Sequence, residues 1–166
     1  MQVELTLRNP VVRTYPLRFG GLNKVFRALE RRGWWGRYTP HERMTYVTNA
    51  RGRVETIVVA AAPVITLPDW CNPVRVPVAA RRAWNRMLAA LLEHERQHHR
   101  FFVSAAREWK LKVEARGNLT EKAVQREWDG LVRRAKRLQS AYDRRTKHGR
   151  TEGVVIPRAA GRQKGK

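Results

Sequence analysis

Residues 89–98 read AALLEHERQH, and this stretch determines how the rest of the chain is interpreted. It places His94 and His98 four residues apart among strong helix formers, with Glu95 directly after the first histidine. Four residues make slightly more than one helical turn, so both rings lie on one face of the helix and can hold one metal ion. Glu95 can then reach a water on that ion. The pattern predicts a zinc site of the hydrolase type, with the glutamate as general base.

The same residues have a second interpretation, in which a basic helix simply exposes its histidines to solvent. His99 shows that not every histidine here is placed for chemistry. The apolar neighbours favour the metal, because they predict a buried helix whose polar side chains need partners. These neighbours are Leu88, Leu91, Leu92, Phe101, Phe102 and Ala105.

A catalytic zinc site needs a third protein ligand, which the sequence leaves open. His41 is expected in a loop, and His99 points away from the His94 and His98 face by one helical step. His148 and the carboxylates near it remain. His148 follows a second predicted long helix, and two antiparallel helices joined by a short loop bring the end of the second back towards the start of the first.

The pattern of elements predicts an α+β domain, with a small, mostly antiparallel sheet from the N-terminal half packed on two long helices from the C-terminal half. The 166 residues, 42% of them apolar, are enough for one domain with a sizeable core. We expect this domain over residues 1–157, followed by a flexible basic tail over 158–166. The expected strands are Val3–Leu7, Tyr15–Phe19, Met44–Thr48 and Val54–Leu67; the expected helices are Leu22–Arg32, Val78 to about Glu114 and Glu121 to about Arg144.

The charge is lopsided, with 35 Lys and Arg against 14 Asp and Glu. Such an excess creates a positive field that favours nucleic acid, anionic lipid or an acidic protein as partner. The alternative is a solvated surface that serves solubility alone.

Cellular location is constrained only weakly. The single Cys71 cannot form an internal disulfide, so nothing demands an oxidising compartment. The N-terminus lacks the pattern of a signal peptide, and no apolar window is long enough for a transmembrane span. These features favour a cytoplasmic or phage-borne protein.

A second motif follows the histidine pair, Tyr142-Asp143-x-x-Thr146-x-His148-Gly149. Together with His94-Glu95-x-x-His98 and the upstream Leu67-Pro68-x-Trp70 and Trp84, it resembles a bacterial family described as secreted zinc-dependent proteases, domain of unknown function 922. The resemblance covers roughly residues 15–153. It implies a zincin-like metalloprotease acting on proteins or peptides. Members of the family are usually exported, whereas this sequence shows neither the pattern of a leader nor a cysteine pair; either a leader has been removed or this is an intracellular or phage-borne branch. The heavy basic charge also departs from the family pattern.

The resemblance implies that His94 and His98 bind zinc, that Glu95 is the base, and that the motif's histidine falls on His148. Asp143 has two interpretations: it orients a ligand imidazole, or it binds zinc in place of His148. The first is preferred, since a three-histidine site needs only the ring that the motif supplies. Tyr142 either stabilises the oxyanion of the tetrahedral intermediate or belongs to the apolar core of its helix.

Two functions of different classes therefore remain. One is a zinc-dependent peptidase. The other is a basic nucleic-acid-binding or virion-associated protein without catalysis, whose helices carry arginine stripes. A third hypothesis joins the two: a peptidase fold whose chemistry serves a DNA- or virion-associated task, with the basic tail as tether. The peptidase is preferred because the chain contains no recognised nucleic-acid signature.

Overall fold

The computed structural model describes residues 1–71 and 76–157, and it confirms an α+β chain. The elements are β1 (Gln2–Leu7), β2 (Val11–Leu17), α1 (Leu22–Arg32), β3 (Arg37–Thr39), β4 (Glu42–Thr48), β5 (Val54–Ala61), β6 (Val64–Trp70), α2 (Val78–Arg116), α3 (Glu121–Thr146) and a 3₁₀ helix at Arg150–Glu152. The expected tail over 158–166 lies outside the described residues. The single-domain boundary at 157 stays a prediction.

The strands divide between two three-stranded sheets, where the sequence predicted one mostly antiparallel sheet. The strand orders are β1-β5-β4 and β2-β6-β3. Strand β1 pairs parallel with β5, while β4 and β5 form the expected antiparallel hairpin. The predicted strand Val54–Leu67 is interrupted at Pro63, which has no amide hydrogen for a ladder. Its two halves, β5 and β6, therefore join different sheets.

The described chain divides into two compact units. The first consists of residues 1–11, 39–64 and 97–142. Here the backbone of Val3 in β1 is held by α2, because its amide donates to Glu114 Oε1 at 2.9 Å and its carbonyl accepts from Lys110 Nζ. Trp109 of α2 and Trp128 of α3 meet edge to face at 5.6 Å between ring centroids. Buried aromatic rings thus join the two helices inside this unit.

The second unit consists of residues 12–38, 65–96 and 143 onwards. Helix α1 buries Leu22, Val25 and Leu29 in it and ends at Gly33, whose φ of 78° is left-handed, as the sequence predicted. The core of this unit contains Leu17, Leu22, Val25, Leu29, Ile65, Leu67, Trp70, Ala80, Ala83, Trp84, Met87, Leu91, Val154 and Ile156. The first half of α2 is thereby fixed as a buried helix.

Both long helices match their predicted bounds to within two residues. Gly117 and Asn118 end α2 with φ of 48° and 46°. Thr120 begins α3 as the expected N-cap, since its Oγ1 accepts from the amide of Ala123 at 3.4 Å. Over residues 1–71 and 76–157, no helix combines the length and apolar character that crossing a bilayer requires.

Candidate functional site

The helical turn that carries the histidine pair is buried. His94 is 4% exposed, Glu95 5% and His98 7%. Leu91 and Phe102 lie one turn before and after this segment and are buried as well. The polar residues therefore share the buried face of α2 with apolar side chains. A helix that merely exposes its histidines to solvent is therefore excluded.

A tight turn follows α3 and leads the chain back towards His94. Lys147, His148 and Gly149 are all left-handed, with φ of 50°, 54° and 78°. Buried Thr146 supports the turn, because its Oγ1 accepts from the amide of Gly149 at 3.1 Å. The short 3₁₀ helix that follows carries Glu152.

Both ring nitrogens of His94 face carboxylates. Asp143 Oδ1 lies 3.1 Å from Nε2, and Glu152 Oε2 lies 3.1 Å from Nδ1. Burial by itself lowers the pKa of His94, but hydrogen bonds to Asp143 and Glu152 and the nearby charge of Glu95 leave that pKa raised above its usual value. The surroundings of this ring therefore favour positive charge, either a proton or a metal cation.

His98 has an aromatic neighbour. The ring of Tyr142 meets it edge to face at 5.5 Å between centroids, and Phe101 packs on the same tyrosine at 5.4 Å. Tyr142 is only 6% exposed. The orientation of the His98 ring is thus supported by packing.

His94, His98 and Asp143 form a group that could hold a metal ion. Each offers one ligand atom, and these atoms lie within 4.8 Å of one another. Two ligands on a tetrahedral zinc are about 3.4 Å apart, given bonds of about 2.1 Å. The 3.1 Å separation of His94 Nε2 and Asp143 Oδ1 is close to that value. Two imidazoles and a carboxylate are also a ligand set that suits zinc, so these residues fit the ion.

His148 is not part of this group. Its side chain is 83% exposed, and its Nδ1 lies 4.0 Å from Asp143 Oδ1. This exposed side chain belongs to the left-handed stretch of backbone at residues 147–149. The structure thus brings the alternative candidate, Asp143, to the histidine pair instead of the preferred His148.

A family model described as "Bacterial protein of unknown function (DUF922)" matches residues 12–149. The chain belongs to this family. The match confirms the family recognised from the two motifs, and the matched residues include both motifs. Comparisons with curated proteins and with solved structures gave no match.

Two glycines allow close approach to the buried turn. A Cβ atom on Gly36 would lie 2.6 Å from Glu95 Oε1 and 2.9 Å from Leu91 Cδ1. A Cβ atom on Gly149 would lie 3.2 Å from His94 Nδ1 and 2.6 Å from Val154. The main chain at Gly36 therefore borders the carboxylate of Glu95, and the main chain at Gly149 borders the imidazole of His94, with no side chain between them.

Sequence reasoning missed Glu152, which lies beyond both motifs and three residues past the end of the family match. The charge pattern of the sequence nevertheless contains a signal that could have indicated Glu152. Asp143 and Glu152 are the two carboxylate residues of the strongly basic stretch 130–166, and both contact His94. Isolated carboxylates in such a basic segment are candidates for a specific role.

Proposed function

We propose that this chain is a zinc-dependent metallopeptidase that hydrolyses peptide bonds in protein or peptide substrates. His94, His98 and Asp143 would hold the zinc, and Glu95 would act as general base. The observation that carries the proposal is that ligand atoms of His94, His98 and Asp143 lie within 4.8 Å of one another, with Glu95 buried on the same turn of α2 as the two histidines. Asp143 takes the ligand role that the motif alone assigned to His148.

When bound, zinc would supply a Lewis acid for the substrate carbonyl and would make a water acidic near neutral pH. The protein residues supply the remaining chemistry. The carboxylate of Glu95 takes the proton of the attacking water and delivers it to the leaving amine. Its burial, with the main chain of Gly36 against it, restricts where that carboxylate can move.

Glu152 would hold the His94 ring in the tautomer that zinc binding requires. A carboxylate at Nδ1 keeps the proton on that nitrogen, which leaves the lone pair of Nε2 for the metal. The left-handed turn at 147–149 precedes the 3₁₀ helix that carries this carboxylate. Glu152 lies outside residues 12–149, so the family match does not cover this contact.

The test compares the wild-type chain with Glu95→Gln, which keeps the shape of the side chain and removes its basicity. Elemental analysis should find about one zinc per chain in both proteins, as expected for a three-ligand site. Cleavage of a peptide library derived from a proteome should fall by about 10²-fold to 10⁴-fold in the variant, the contribution typical of a general base.

Glu93→Gln is the matched control, because Glu93 lies on the same helix with its side chain 54% exposed. It should retain both zinc and cleavage. Wild-type protein that binds no zinc when folded, or equal cleavage by Glu95→Gln, would contradict the proposal.

A further inference from the structure

One face of α3 carries a straight row of cations. Its members are Lys122, Arg126, Arg133, Arg137 and Arg144, and all five are exposed. At 100° per residue they fall within an arc of about 60° around the helix axis. This row is defined here as the α3 cation row.

The opposite face of α3 is apolar and buried. Its residues are Val124, Trp128, Leu131, Ala135 and Tyr142, centred about 180° from the cation row. Helix α3 is therefore fixed by one face and presents the other to solvent. Arg134 of α3 makes an ion pair with Glu108, and Glu127 of α3 makes ion pairs with Lys112 and Arg116. Both Arg134 and Glu127 lie outside the row.

The row is interrupted by little negative charge. Asp129 lies at its edge, where its Oδ1 accepts from Gln125 Nε2 at 2.9 Å. Five cations and one carboxylate on a rigid helix give a linear, positively charged surface. A row of like charges costs self-repulsion, which a polyanion laid along it would relieve.

We propose that the α3 cation row binds the phosphate backbone of duplex DNA without reading its sequence. From Lys122 to Arg144 the row is about 33 Å long at 1.5 Å per residue. One turn of B-DNA is about 34 Å. Both ends of the row can therefore meet the same strand one turn apart, with the other strand crossing between them.

The composition of the row favours DNA over other polyanions. Four of the five cations are arginines, whose planar guanidinium matches phosphate oxygens in pairs. Single strands are usually held by stacking on aromatic rings, and both aromatic residues of α3, Trp128 and Tyr142, are buried. Insertion into a lipid surface requires an apolar helix face, and that of α3 is occupied by the core.

The experiment measures binding of the full chain to a fluorescent 24-base-pair duplex at 50, 100 and 200 mM salt. Five phosphate contacts predict a log–log salt slope of about −4.5 and a loss of affinity of about 500-fold over this range. The variant Arg126→Gln, Arg133→Gln, Arg137→Gln should reduce the slope to about −1.8, so that the same change of salt costs about 12-fold.

The matched control is Lys24→Gln, Arg27→Gln, Arg31→Gln. It removes the same charge from exposed positions of α1 and should keep the wild-type slope. A second row variant, Lys122→Gln with Arg144→Gln, removes only the ends and should lower the slope to about −2.7. Thermal melting checks that each protein is folded.

Several outcomes would overturn the proposal. Equal losses in the row variant and the α1 control would assign binding to net charge. Tighter binding to a 24-nucleotide single strand, or binding to phosphatidylserine vesicles but not to the duplex, would assign a different partner. Glu95→Gln should bind the duplex as the wild type does, so this proposal and the peptidase proposal can fail separately.

Discussion

The surroundings of His94 and those of His98 differ although the two residues are one helical turn apart. His94 has a carboxylate at each ring nitrogen, from Asp143 and Glu152. His98 lies edge to face against the ring of Tyr142. The first imidazole is thus oriented by charge and the second by packing. A change to Glu152 should act through His94, and a change to Tyr142 should act through His98.

The largest effects should come from the two imidazoles themselves. His94→Ala and His98→Ala should each lower zinc affinity by more than about 100-fold, because each removes a ligand and not a supporting partner. Competition with a chromophoric chelator measures this loss. His99→Ala is the control and should keep wild-type affinity. Full zinc retention in the double variant of His94 and His98 would remove the proposed centre.

The next prediction separates Asp143 from His148. Asp143→Asn should weaken zinc binding by more than about 100-fold, since it replaces a charged ligand with an amide of the same shape. His148→Asn should change affinity by less than about threefold, because the exposed ring lies outside the group and asparagine tolerates the left-handed backbone there. The reverse order of effects would restore His148 as the third ligand.

An intermediate effect is expected for Glu152. Glu152→Gln should lower zinc affinity or turnover by about 10-fold to 100-fold, the usual cost of losing a carboxylate behind a ligand histidine. Glu152→Asp should recover part of that loss if the shorter carboxylate still reaches Nδ1. Glu30→Gln, on the exposed side of α1, is the charge control. Wild-type behaviour of Glu152→Gln would make the contact incidental.

The smallest effect should follow Tyr142→Phe, which keeps the ring contacts with His98 and Phe101. Zinc affinity and turnover should stay within about threefold of wild type, because packing depends on the ring and not on the hydroxyl. Cleavage assays on one defined peptide, stopped at fixed times, would measure the turnover. A loss of turnover of about 100-fold with unchanged zinc would instead assign the hydroxyl to oxyanion stabilisation.

The helices and the buried turn could be predicted from the sequence because their signals are local. The four-residue spacing of His94 and His98 and the glycine at residue 33 determine structure within one or two turns. The two sheets could not be predicted in this way. The parallel partner of β1 lies about fifty residues along the chain, and no local pattern specifies it.

The third member of the metal group shows the same limit more sharply. Both Asp143 and His148 belong to one motif, and only the backbone after α3 distinguishes them. That backbone is left-handed at Lys147 and His148, a conformation that residues other than glycine seldom adopt and that composition does not indicate. The role of Glu152 depends on the same turn.

The contact of Gly36 with Glu95 has a consequence for protein engineering. Any side chain at residue 36 must displace the carboxylate or Leu91, since even a methyl group would overlap them. A saturation library at this codon should therefore return functional clones enriched in glycine, while Arg37, whose side chain is exposed, should accept many replacements. Deep sequencing of both libraries would reveal how closely the main chain at residue 36 restricts the carboxylate of Glu95.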